Sequence, residues 1–210
     1  MKTILYLSFV TCIIAFAFIT CEIPGDGCGP FKDRFKVTDF ITEINKIAFL
    51  DTLNTEIQLL IMDSDTLRFD EFAITMHPVA EYYFSNKHSH IQNPFISTAY
   101  ACSPVIPVSD EKIKDIRIFS DRDFTGEYAA GDNLVALFDF IVLYHTSGYH
   151  RYSPDEFLTG DRPVPDQLNL VLNTGPQSAG QFTFTVEYLQ DGFVLDEYEF
   201  TTEEITIKME

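Results

Sequence analysis

Four cysteines, five histidines and 32 carboxylates are the side chains of this sequence that could do chemistry. A thiol can be alkylated, paired or used as a nucleophile, according to where it stands. Cys102, followed by Ser103 and Pro104, reads as a half-cystine rather than a nucleophile. His88 and His90 occupy alternate positions and would face one way on a strand, as two ligands of one metal must; His145 and His150 form a second close pair. Zinc wants three or four ligands with supporting partners behind them. No third ligand is indicated, so His88 and His90 read as loop histidines between Asn86 and Asn93, and no metal is expected. Asp63 and Asp65, with Asp70 and Glu71, match a calcium loop in acidity alone, because Gly is missing from the sixth place and Glu from the twelfth. Asp121 and Asp123 read as a solvated acidic turn. Paired carboxylates for glycoside hydrolysis are defined by their separation in space, which abundance does not supply. No nucleophile elbow, zincin helix, phosphate loop or dinucleotide fingerprint occurs. The sequence therefore nominates no catalytic residue and no cofactor, and the expectation is a protein that is not an enzyme. Tyr82, Tyr83, Tyr144, Tyr149 and Tyr152 could stack on sugars, but Trp is absent and core packing accounts for most aromatic content.

The remaining thiols depend on the segment that delivers them. Met1-Lys2-Thr3 gives a short positive start, and Ile4 to Ile19 then runs sixteen residues without a charge. A membrane-spanning helix needs about 20 apolar residues, so this run suits the apolar region of a secretion signal better. Phe18-Ile19-Thr20-Cys21 closes it. This stretch resembles the lipobox of bacterial lipoproteins, although Phe stands where Leu is common and Thr where Gly or Ala precedes the cysteine. The chemistry that box implies is cleavage before Cys21, a thioether from its sulfur to diacylglycerol, and acylation of the freed α-amine. Two or more chains make such an anchor stable, since one alone binds marginally. An uncleaved signal anchor, or an ordinary signal cut elsewhere, are the competing readings. Glu22, rather than Asp, follows Cys21, which points to an outer-membrane address, facing either the periplasm or the cell surface.

Residues 1–20 are thus expected to be removed, 21–34 to be lipidated cysteine and tether, and 35–210 to form a single β-rich domain. No repeat or low-complexity linker divides that last span. The formal net charge is −18, and loss of Lys2 makes the remainder more negative still. Phosphate neutralisation needs the opposite sign, which excludes nucleic acid as a partner. Cys28 and Cys102 remain as an even pair in an oxidising compartment. A bridge between them would close a loop of about 75 residues and remove roughly 4 kcal/mol of unfolded-chain entropy; two unpaired thiols are the alternative.

The elements that must carry these residues are mostly strands. Phe35 to Ile44 partly alternates and reads as a first strand, and Glu56 to Met62 as a short buried one. Phe69 to Phe84 has strand composition, but Pro78 must lie on an edge or split the run. Ala99 to Pro107 is expected to be irregular. Asp110 to Phe119 alternates cleanly. Asn133 to Val142 is ambiguous: Asn133 could cap a short helix with Leu134, Leu137, Phe138 and Ile141 on one face. Ser153-Pro154-Asp155-Glu156 starts a helix by serine cap and first-position proline, stopped by Gly160. Leu168 to Leu172 reads as a strand, and Gln181 to Leu189 puts Phe182, Phe184, Val186 and Tyr188 on one face. Asp191-Gly192 is a hairpin turn signal, Phe193 to Phe200 returns, and Ile205 to Ile207 ends the series. Many short strands, twenty Phe and ten Tyr indicate a mainly β fold: a β-sandwich, immunoglobulin-like or related, with short helical insertions.

Ala99-Tyr-Ala-Cys-Ser-Pro104, Asp110 to Ile116, Ser120 to Phe124, Ala130 to Phe138 and the turn at Asp191-Gly192 together are similar to a family of small exported Bacteroidetes lipoproteins, a domain of unknown function. The resemblance covers most of Phe35 to Glu210. It implies the exported, lipid-anchored address and brings no catalytic or binding residue. The resulting expectation is a lipid-anchored, non-catalytic structural or protein-interaction module with an envelope protein as partner. The alternative is a surface module binding glycan or peptide.

Overall fold

The computed structural model describes residues 32–49, 57–60, 66–84, 106–145 and 147–209. The chain clusters into two units, Met1–Phe31 with Ile91–Pro104 and Lys32–His90 with Val105–Glu210, and every described residue belongs to the second. Cys21, Cys28, Cys102, His88, His90, Asp63 and Asp65 lie outside the described residues. In chain order the strands are β1 (Arg34–Phe49), β2 (Ile57–Leu60), β3 (Thr66–Arg68), β4 (Phe72–Tyr83), β5 (Val108–Ser109), β6 (Lys112–Ser120), β7 (Phe138–Tyr144) and β8 (Gly148–Tyr152). One short helix, α1 (Pro154–Thr159), precedes β9 (Gln167–Leu172), β10 (Gly180–Phe182), β11 (Phe184–Asp191), β12 (Glu197–Thr201) and β13 (Ile205–Lys208).

The fold is a mainly β sandwich. One layer is a seven-stranded sheet in the order β2-β1-β4-β9-β7-β8, with β5 added alongside the start of β1. The other consists of two three-stranded sheets, β10-β13-β3 and β12-β11-β6. Phenylalanines alternating along β11 and β7 fill the space between: Phe184 meets Phe72 at 5.2 Å, Phe124 at 6.0 Å and Phe138 at 6.1 Å between ring centroids. Tyr188 stands edge-on to Phe40 at 4.7 Å, a geometry aromatic quadrupoles favour.

β1 explains the imperfect alternation of its sequence. Phe35 and Val37 are buried, the register against β4 shifts between Val37 and Asp39, and burial then resumes at Phe40. The extra residue of this bulge, Thr38, changes the phase so that apolar side chains on both sides of it reach the core. β4 is not split by its proline. Pro78 lies beyond the stretch Ala73–Met76 that pairs with β9, so its missing donor removes no ladder bond.

β9, the central strand between β4 and β7, is buried along its whole length. Its inner residues join the main core, while Asn169 faces the other side. There the Asn169 Oδ1 accepts from Thr75 Oγ1 at 3.0 Å and from Gln167 Nε2 at 2.8 Å, and its Nδ2 donates to the Ile141 carbonyl at 2.8 Å. Fully satisfied, such a network tolerates burial; half-satisfied, it would not.

Two expectations are corrected. Asn133–Val142 is not a helix: after a 3-10 turn at Val135–Leu137 it runs as β7, and Phe138 and Ile141 bury into opposite faces of the sheet. Asn133 still caps, its Oδ1 accepting from Val135 N and from Ile118 N of β6. Asp191-Gly192 does not make a tight two-residue turn. β12 begins only at Glu197, and the connecting loop is tied by Gln190 N to the Asp196 carbonyl and by Gln190 Nε2 to the Leu195 carbonyl. A Cβ at Gly192 would collide with the Leu195 carbonyl oxygen, so glycine is required there by closeness of approach. At α1, Ser153 Oγ accepts from Glu156 N as the cap, as the motif requires.

The run Gln181–Leu189 is continuous in sequence but breaks at Thr183, where the chain passes from the sheet of β10 to that of β11. Side chains fill the broken ladder: Thr183 N donates to Asp121 Oδ1 at 2.8 Å, and Phe184 N to Thr202 Oγ1 at 2.9 Å, with Thr202 N returned to the Phe184 carbonyl. Replacing buried Thr202 by near-isosteric valine leaves the Phe184 amide without its acceptor. The expected loss is about 1–3 kcal/mol, read as a lowered urea midpoint with unchanged slope.

Candidate functional site

The seven-stranded sheet leaves an opening along β1. On the side away from β4, β5 pairs with Arg34 and Phe35, and β2 pairs with Lys46 to Phe49. Between them, among the described residues, no strand pairs with β1. Backbone groups in a strand alternate in direction, and two bonds fix which residues face the opening. The Phe40 carbonyl accepts from Tyr198 OH at 3.3 Å, and the Phe40 amide is held by its neighbour Asp39 Oδ1 at 2.8 Å. Thr42 and Ile44 share the parity of Phe40, so their amides and carbonyls point outward too.

Across from this edge runs β12, which pairs with β11 on one side only. Tyr198 of β12 closes the sandwich at Phe40 and Thr42, its ring 5.1 Å from that of Phe40. Beyond Tyr198 the layers part into a groove of about 510 Å³, lined by Thr42, Glu43 and Ile44 on one side and by Phe200, Thr201 and Glu203–Ile205 on the other. Ile44 and Phe200 rest on the core and give it an apolar floor. Glu204 is met by Arg122 at 3.6 Å; among the described residues no ion pair engages Glu43 or Glu203. Lys46, the nearest cation along β1, is turned to Glu71 at 3.3 Å. Glu197 and Glu199 stand exposed on β12 itself, so the groove lies in a negative field.

One carboxylate escaped the sequence reading. Glu111 is 1% exposed, and no cation faces it among its printed partners. Its Oε2 accepts from Val37 N at 2.6 Å, at the bulge of β1, and from Ser109 Oγ at 3.4 Å; its Oε1 accepts from Phe193 N at 2.8 Å in the β11–β12 loop. A buried carboxylate is tolerable when donors occupy its lone pairs. The signal was faint, a lone Glu before the alternating run of β6, and nothing local distinguishes it from a surface residue. With its oxygens taken by backbone donors, this group braces the fold.

The nominated residues scatter. His145 Nδ1 lies 3.5 Å from Asp166, whereas His150 Nε2 meets Ser147 Oγ at 2.8 Å. Among the described residues no group of three His, Cys, Asp or Glu could hold a metal. Asp121 and Asp123 are loop braces, accepting from Thr183 N and Ala130 N. The tyrosines form no row: Tyr144 and Tyr152 pack against the main core, Tyr149 against the cluster on the opposite face, and Tyr82 and Tyr83 sit on β4, Tyr83 donating to Asp110. Around Tyr152 the guanidinium of Arg162 lies 4.0 Å above the ring, while His150 stacks at 6.2 Å. Burial lifts the Tyr144 phenol to about 12, with Tyr152 adding to it.

No family model, curated protein or solved structure matches the chain. Its role is therefore argued from its own residues.

Two outcomes follow for the braces around this region. Glu111→Gln turns one acceptor into a donor facing an amide, and is expected to lose roughly 2–3 kcal/mol, with faster hydrogen exchange at Val37 and Phe193 as the local readout. Burial pushes the Tyr188 phenol well above its ordinary 10.0, with the Glu111 charge adding to it. The folded state then holds this proton more tightly than the unfolded chain, so the associated stability is full below pH 10 and drains as pH rises past it. Tyr188→Phe should make that alkaline decline shallower in urea titrations.

Proposed function

We propose that this chain is a lipid-anchored cell-envelope protein, attached through Cys21 at the outer membrane, whose β-sandwich serves as a non-catalytic protein-interaction module. The observation that carries the interaction role is the groove between the unpaired stretch of β1 and the free edge of β12. Exposed main-chain donors and acceptors at a sheet edge invite pairing, and folded proteins ordinarily blunt or cover them. Here the opening is kept, with an apolar floor and unpaired carboxylates at its rim. The buried carboxylate Glu111 supports the absence of catalysis only in the sense that its lone pairs already serve the backbone.

The anchoring part rests on the apolar run Ile4 to Ile19 and the thiol that follows it. The similarity to exported Bacteroidetes lipoproteins agrees with it. A glycan-binding role has less support, because the tyrosines suited to sugar stacking are divided between the two faces of the large sheet.

Metabolic labelling with palmitate tests the anchor. Label should enter the wild-type protein and be absent from Cys21→Ala, which should leave the membrane fraction; label retained by the variant refutes lipidation at this sulfur. Affinity capture from detergent-solubilised envelope tests the module. A stoichiometric protein partner is expected, and enrichment of polysaccharide alone would contradict the reading.

A further inference from the structure

The groove's backbone geometry specifies its occupant more closely. We propose that it takes a short extended peptide, alternating basic and apolar residues, which adds as a strand to β1 at Thr42–Ile44. This deepens the interaction reading above and rests on it.

The argument begins with the gap itself. β2 already uses the outward-facing groups of β1 from Lys46 onward, and β5 uses those at its start, so this edge demonstrably pairs on that side. Phe40 is consumed by Tyr198 and Asp39. The next outward residues, Thr42 and Ile44, have main-chain groups turned to the groove, and no described strand reaches them. Their two amides and two carbonyls match one antiparallel strand of four to five residues.

Side chains of an added strand would alternate between the sheet's two faces. Those pointing inward enter the space floored by Ile44, Phe200 and Ile205, which suits valine or isoleucine. Those pointing outward lie beside Glu43, which is exposed on the opposite face of β1 from Ile44. Glu203, also without an ion pair among the described residues, stands at the groove's end. Glu204 is shared with Arg122, and Glu197 and Glu199 contribute from β12. The charge sign therefore selects lysine or arginine at alternate places, and disfavours an acidic segment. Edge and cavity supply the site; charge supplies the choice of partner.

The probe is fluorescein-labelled acetyl-Lys-Val-Lys-Val-Lys-Val-Lys-amide, titrated into the protein by anisotropy, with amide chemical shifts recorded in parallel. Saturable binding with shifts centred on Thr42 to Ile44 is expected. The double variant Glu43→Lys with Glu203→Lys, both on exposed side chains, should weaken it by roughly ten-fold. A glutamate-for-lysine peptide should not bind. Methylation of alternate peptide amides on the strand's pairing side should abolish binding, while methylation on the other side should not. Equal binding of both methylated forms would show attraction by charge alone and overturn strand addition. Absence of binding, or self-association of the protein through the same amides, would overturn the proposal as well. A stoichiometric envelope partner whose binding survives the Glu43→Lys, Glu203→Lys change removes the groove's role and leaves the module standing. Peptide binding with no envelope partner removes the module's role and leaves the groove's chemistry standing.

Discussion

A single buried carboxylate holds together the parts of the sandwich that local sequence would let drift. Glu111 ties the bulge of β1, the turn before β6 and the loop between β11 and β12. Without a donor-rich pocket, a charge this deep would cost several kcal/mol; with three donors converging on it, it fixes the relative position of three segments far apart in the chain. The bulge it occupies shifts the phase of β1 and so allows both Val37 and Phe40 to reach the core. The stacking of the two layers at Tyr188 and Phe40 therefore depends on it.

The same strand gives the molecule its asymmetry. Along β1, one edge is continuously paired with β4, whereas the other is paired only at its two ends. Tyr198 seals the sandwich at the midpoint, reaching from β12 to the Phe40 carbonyl. On the far side of that tyrosine the layers separate, and the apolar interior comes to the surface at Ile44 and Phe200. The opening results from where pairing stops, and its charge from the glutamates that flank the two edges.

Strand content and the inward faces of β6, β9 and β11 could be read directly, because alternation is a property of neighbouring residues. Phe182, Phe184, Val186 and Tyr188 face inward together. The break at Thr183 could not be read, since it is set by Asp121 and Thr202, which are distant in sequence. Asn133–Val142 misled because Leu134, Leu137, Phe138 and Ile141 also suit a helical stripe; both faces of β7 are buried, which removes the alternation a strand would otherwise display. Asp191-Gly192 gave a sound turn signal but the wrong length, as the loop's shape answers to Glu111 and Gln190. The groove was invisible for a similar reason: an unpaired edge is a statement about absent neighbours, and no residue type marks it.

The last strand, β13, lies parallel to β3, and the first, β1, lies parallel to β5. Parallel neighbours cannot be joined by a hairpin, and here they come from opposite ends of the polypeptide. Contacts of such separation form slowly, because the closure entropy precedes the reward. A nascent chain of this kind has no way to seat Leu67 against its final partner until Ile207 has been synthesised. It stays pliable until late, the state in which a polypeptide can be threaded through a narrow pore before it sets.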